Sequence, residues 1–175
     1  SNFLHKSIDV IGIAANNLET HLTIFEVRGS NLDNKKTIVL KDTEGIDEEE
    51  IIENYIMQTY GSSDNIIDIP EKIMVKQQLT HHKSLEKIIS EKVGQNVEII
   101  VPKKGEKLKF VELAEQNSQI SLQNSTRNEE IILNELKGIL NLQDIPRRIE
   151  MYDISNISGD YTVAGMATLV NRENI

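Results

Sequence analysis

The stretch "RRIEMYDISNISGDYTVAG", Arg147 to Gly165, holds an acidic residue, Asp153, in the middle of an otherwise apolar run. A carboxylate fixed mid-strand suits divalent-metal chemistry, because such ions need oxygen ligands held on a rigid frame. The plainer alternative is a polar residue at a turn. Its acidic neighbours Glu150 and Asp160 read as surface residues flanking a hairpin. Arg147 and Arg148, just before that run, suit either a phosphate contact or a solvated strand start. Lys103, Lys104, Lys107 and Lys109 form the one basic cluster, around Gly105 at a strand-to-helix junction. Lysines at a helix N-terminus either hold a backbone phosphate or lie in solvent. His81 and His82 are adjacent, whereas metal ligands on one helix face need i, i+4 spacing, so the pair reads as a solvated helix start. The run Asp42 to Glu53 has seven acidic residues and no Lys, the pattern of an exposed helix start that could also repel DNA. No P-loop, dinucleotide fingerprint, Ser-His-Asp motif or zinc signature occurs.

The elements that must position these residues follow from periodicity. Ile8 to Ala14 ("IDVIGIA") is a continuous apolar run, as expected of a strand buried on both faces. His21 to Val27 and Thr37 to Leu40 complete an antiparallel meander. Asp47 then precedes a helix with Ile51, Ile52, Tyr55, Ile56 and Tyr60 at helical spacing and acids in its first turn, where they suit the dipole. "GSSDN" ends it. Lys72 to Val75 is a short strand. Ser84 to Val93 is a helix closed by Gly94 at the C-cap position. "NVEIIVP" is a strand stopped by Pro102. A long helix starts near Glu106, with Leu108, Val111, Leu113 and Ile120 as its apolar residues. The polar stretch Leu122 to Asn128 reads as a linker or frayed end, Glu129 to Leu142 as a further amphipathic helix, and the rest as strand, turn, strand.

The bulk composition sets limits. Of 175 residues 38% are hydrophobic and 27% charged, so the chain buries an ordinary core of Ile, Leu and Val. Aromatic content is only 4%, with no Trp, which argues against a surface built on base stacking. There is no Cys, which excludes disulfides and thiolate metal sites and suits a reducing cytoplasm. No apolar run approaches a membrane span, and no secretory signal opens the chain. A net charge of −9 is the wrong sign for a surface that binds nucleic acid throughout, so any DNA contact must be local. The opening "SNF" reads as carrying a residue or two of a cloning scar, and the whole as an excised piece.

The order β-β-β-α-β-α-β-α implies an α/β fold, a mixed sheet with helices on both faces. This is the element order of the RNase H-like fold, and it is followed by a helix and hairpin that begin a second one. The two hairpins repeat each other: Ile8 matches Ile149, Asp9 matches Glu150, Ile13 matches Ile154. Asp153 falls where the first copy has Gly12. In RNase H-type chemistry an Asp at that position is a metal ligand, which a glycine cannot be. The first copy is expected to keep the fold without the chemistry.

Three stretches carry a closer likeness: "DVIGIA" at Asp9 to Ala14, "VPKKGEKLKFVELAEQN" at Val101 to Asn117, and the residues from Ile145 to Gly159. On these the chain resembles the UvrC family of excision endonuclease subunits over essentially its whole length. The resemblance implies a degenerate, non-catalytic RNase H-like domain at 1–126 and the truncated start of the catalytic domain at 127–175. It makes Asp153 the first catalytic, metal-binding acid, its partners lying beyond Ile175. It implies magnesium or manganese in the intact domain and none held by this piece, which should not cut DNA alone. Implied partners are UvrB and damaged double-stranded DNA, with no membrane and a cytoplasmic setting. The alternative is a protein-interaction or spacer module that positions the nuclease domains. Residues 149–170 should expose strand edges and an apolar face, and so be mobile or pair with a neighbour as a dimer.

Overall fold

A computed structural model of the chain describes residues 7–62, 68–146, 148–157 and 160–170, with backbone alone from residue 151 onward. It divides into two compact units, Ser1–Asn124 and Ser125–Ile175. The "SNF" opening and part of the "GSSDN" turn lie outside the described residues.

The first unit begins with a meander: β1 (Ser7–Ala15), β2 (Glu19–Arg28) and β3 (Asn31–Lys41). Asn16 shapes the first turn by accepting the N–H groups of Leu18 and Glu19 at 2.8 and 2.9 Å on its side-chain oxygen. Gly29, at φ +63°, makes the second turn in a region that most side chains avoid. The chain then forms α1 (Glu48–Ile56), which widens into a π-helical turn over Met57–Ser62. Next come β4 (Lys72–Met74), α2 (His82–Val93) and β5 (Glu98–Ile100). Gly94 ends α2 in the left-handed conformation, its N–H donating to the Ser90 carbonyl. β4 runs parallel to β1 and β5 parallel to β4, giving a mixed sheet of order β3-β2-β1-β4-β5.

Strand alternation sorts the core into two layers. Ile11, Ile13, Leu22, Ile24 and Ile73 face α1 and α2, where Ile51, Ile52, Ile56, Leu85 and Ile89 meet them. Ile8, Val10, Phe25, Val27 and Met74 face the opposite way, against Val111 and Ala114 of α3 (Gly105–Ile139). Helices therefore cover both faces, as the element order implies.

Two expectations about α3 are corrected. It is one helix of 35 residues, so Leu122 to Asn128 is neither linker nor frayed end, and Glu129 to Leu142 is not a separate helix. From Glu106 to Lys137 there is no Gly or Pro, so nothing removes a hydrogen bond or frees the backbone, and a polar helix carries on. Its buried face also differs from the large apolar residues. Val111, Ala114 and Ser118 are buried, while Leu113 and Ile120 are about half exposed. Small residues let the helix lie close on the sheet.

The second unit contains the hairpin β6 (Arg148–Ile157) and β7 (Asp160–Val170), paired antiparallel as a two-stranded sheet. Its ladder runs Arg148 with Val170 to Ile157 with Asp160 and slips by one residue between Asp153 and Ile154.

Candidate functional site

The two hairpins allow one position to be compared twice. Gly12 stands in the middle of β1, paired with Thr23 in a ladder that is regular from Ser7 to Ala15. A Cβ on Gly12 would lie 2.2 Å from the carbonyl carbon of Ala114, 2.4 Å from the backbone nitrogen of Glu115 and 2.5 Å from the Ala114 oxygen. Those are backbone atoms, which no rotamer change can move aside. The α3 main chain thus occupies the space that a side chain at position 12 would need, and a carboxylate there is sterically excluded.

Polar groups fix α3 over that point. Ser118 Oγ donates to Thr23 Oγ1 at 2.9 Å, both residues fully buried. Ser121 Oγ lies 2.7 Å from His21 Nδ1, and His21 Nε2 lies 2.8 Å from Glu19 Oε1. Lys35 Nζ reaches Asn117 Oδ1 and Lys76 Nζ reaches Glu115 Oε2, each at 2.5 Å. Ser121, His21 and Glu19 form the chain of groups used by a serine nucleophile. Here His21 and Glu19 are each 2% exposed and Glu19 also pairs with Lys41, so the set serves as a helix-to-sheet tether.

A second buried polar group sits on the other face of the sheet. Asp9, 2% exposed, accepts a hydrogen bond from Tyr60 Oη at 2.6 Å and from Arg28 at 2.8 Å. Arg28 also holds Asp68 at 2.8 Å. Burial raises the Asp9 carboxyl above the usual carboxylate range, outweighing the hydrogen bonds from Tyr60 and Arg28 that lower it. Burial and then the Asp9 charge push the Tyr60 hydroxyl far upward. For Arg28, burial works against the charge but the bonds to Asp68 and Asp9 prevail and hold it ionised. Sequence reading missed this group. The available signal was an Asp and an Arg at the paired open ends of two apolar strands.

Asp153 lies at mid-strand in β6, paired with Gly165, at the point where the ladder slips and Ala164 becomes the extra residue on β7. Arg148 is exposed and ion-paired with Glu150 two residues on, a pairing of neighbours on one strand face. Arg147 lies outside the described residues. The lysine cluster stays together at the start of α3: Lys103, Lys104 and Lys109 are exposed and Lys107 is half-buried. His81 and His82 are not a metal pair. His81 Nδ1 meets Glu53 of α1 at 2.7 Å, and His82 Nδ1 bonds the Leu79 carbonyl at 2.7 Å. Part of the acidic run is engaged here: Glu53 and Glu49 accept the N–H groups of His81 and Thr80 and so tie the start of α2 to α1.

Among the described residues no three His, Cys, Asp or Glu side chains converge on a point that could hold a metal ion. The described side chains therefore do not by themselves make a divalent-metal centre. Among them, too, no helix is long and apolar enough to cross a membrane.

A five-stranded mixed sheet of this order with helices on both faces, followed by a second hairpin that matches the first at a few positions, defines an RNase H-like protein. Residues 7–125 match the UvrC Ribonuclease H-like domain, and residues 137–174 the UvrC RNAse H endonuclease domain. The chain belongs to the UvrC family. It is 36% identical over 168 residues to the UvrABC system protein C of Caldanaerobacter subterraneus subsp. tengcongensis, covering 93% of this chain and 27% of that protein. Its likeness to the UvrABC system protein C of Methanosphaera stadtmanae is 32% over 163 residues, again 93% and 27%. That of Alkaliphilus oremlandii is 33% identical over 165 residues, 90% and 26%. The chain thus spans about a quarter of the length of these relatives.

Proposed function

We propose that the chain is part of an excision endonuclease subunit that incises damaged double-stranded DNA together with UvrB, in the cytoplasm. Residues 1–126 are its degenerate, non-catalytic RNase H-like domain, and 127–175 open the catalytic one. The observation that carries this reading is the contrast at one strand position. Position 12 is closed by the α3 backbone, whereas position 153 bears an acid within the stretch that matches the family's endonuclease domain.

In the intact catalytic domain Asp153 would be one of several carboxylates around magnesium or manganese, which supplies the clamp on the attacking and leaving phosphodiester oxygens. Arg147 and Arg148 would approach the phosphates on either side. With one acid of the set, residues 1–175 bind such an ion weakly and do not cut. Residues 149–170, with free strand edges, pair into a dimer when the piece is isolated. For residues 1–126 a protein-interaction role is favoured by the groove described below.

The test uses the full-length protein with UvrB and a damaged duplex. Asp153→Asn abolishes incision by the catalytic domain while binding of the duplex persists. Residues 1–175 alone leave the duplex intact with magnesium or manganese. Wild-type incision by Asp153→Asn, or metal-dependent nicking by the piece that Asp153→Ala removes, overturns one half of the reading each.

A further inference from the structure

The sheet face that carries α3 is only partly covered by it. In the β2–β3 ladder Leu32 pairs with Val27 and Val39 with His21, and antiparallel partners share a face. Val27 packs with Val111 and Ala114, and His21 bonds Ser121, so Leu32 and Val39 stand on the α3 side. They are 53% and 45% exposed, and Leu113 and Ile120 of α3 are 47% and 56% exposed. At one end this apolar strip deepens into a groove of about 370 Å³, walled by Val27, Leu32, Phe110 and Leu113, with Lys109 and Glu106 beside them. Lys109 lines the groove, and Lys103, Lys104 and Lys107 precede it by two to six residues in the sequence.

We propose that this groove docks an acidic segment of a partner protein, with one apolar side chain seated against Leu32, Phe110 and Leu113 and flanking carboxylates on the lysines. Charge fixes the sign of the partner. The chain carries −9 overall and this is its one lysine cluster, so an acidic segment is drawn here and repelled elsewhere. The lining fixes the class. Four apolar side chains offer an anchor pocket to a peptide side chain but would only dehydrate a phosphate backbone.

The test titrates the isotope-labelled 175-residue chain with the peptide Glu-Asp-Glu-Leu-Phe-Glu-Asp and, separately, with duplex DNA, following backbone amide shifts. The peptide is expected to move the amides of Ser30, Leu32, Lys109, Phe110 and Leu113, with a Kd of about 1 mM or tighter. Leu113→Glu and Lys109→Glu, both at surface positions, should each weaken it by about tenfold, close to 1.4 kcal/mol. Ile88→Glu, a comparably exposed apolar position on α2, should leave it unchanged. Silence of the groove amides at several millimolar peptide, shifts that survive both substitutions, or duplex DNA moving the same amides would each overturn the proposal.

Discussion

The β1–β2 and β6–β7 hairpins open with matching residues and part at mid-strand. At Gly12 the ladder is regular and a helix backbone lies against the strand, locked by Ser118 on Thr23 and Ser121 on His21. At Asp153 the ladder slips by one residue, a bulge beside the one acid that the other copy lacks. Bulges of this kind gather next to active sites, where they change local strand twist. On the proposed function, the difference teaches how one strand frame serves either a metal-binding acid or a helix seat. A space that a carboxylate would occupy becomes a seat for a helix, and the strand is conserved in form because both uses need it rigid.

The sharpest way to break the comparison is to exchange roles at its two ends. Asp153→Asn in the full-length protein should cost about a thousandfold or more in the incision rate, roughly 4 kcal/mol of barrier, with the thermal unfolding midpoint little changed. Gly12→Ala should do the reverse. It leaves the acid in place but forces α3 off β1, for a loss of roughly 4 kcal/mol in urea denaturation of residues 1–175. If Gly12→Ala is tolerated within about 0.5 kcal/mol, the close approach of helix and strand is not the reason for the glycine.

Two smaller changes sharpen what holds the first copy shut. Asn124→Pro falls in the stretch that reads as a linker and is helical; it should cost about 3 kcal/mol in a helix and almost nothing in a linker, measured by helical circular dichroism and urea midpoint. Asp9→Asn keeps the shape but weakens the bonds to Arg28 and Tyr60 and should cost about 2 kcal/mol. Because burial raises the Asp9 pKa, the wild-type protein favours the protonated form relative to the unfolded chain. Its contribution is fully present below the unfolded value and declines as pH rises through the raised one, so Asp9→Asn should flatten that acid-side slope.

These results also mark what the sequence made legible. The meander, the two short parallel strands, α2 with its glycine cap and the repeated hairpin were all readable, because each carries an apolar period and a punctuating turn. The continuity of α3 was not, since Leu122 to Asn128 has no apolar period, and only the lack of Gly and Pro argued for helix. Its seat was hidden for a related reason: Ala114 and Ser118 are buried by a close approach to Gly12, while the larger Leu113 and Ile120 stay at the surface. Hydrophobic patterning favours the larger residues. The link of Asp9 to Arg28 needed the strand register, and the link of His81 to Glu53 needed the packing of α1 on α2.

That last pair gives the smallest effect, on the sheet face opposite the one where the hairpins differ. The Glu53 carboxylate bonds the exposed His81 ring, and this bond, with the Glu53 and Glu49 charges, raises the imidazole above its ordinary 6.5. A raised folded value means that the pair stabilises the fold fully below about pH 6.5 and that this contribution fades as pH climbs through the raised value. The urea midpoint of residues 1–175 should therefore fall slightly between pH 6 and pH 9, and His81→Gln should remove that slope. Glu53→Gln should return the ring's proton-resonance titration toward the free-histidine value. Since α3 and Gly12 lie on the other side of the sheet, neither change should alter the cost of Gly12→Ala; coupling between them would mean that the two faces do not act independently.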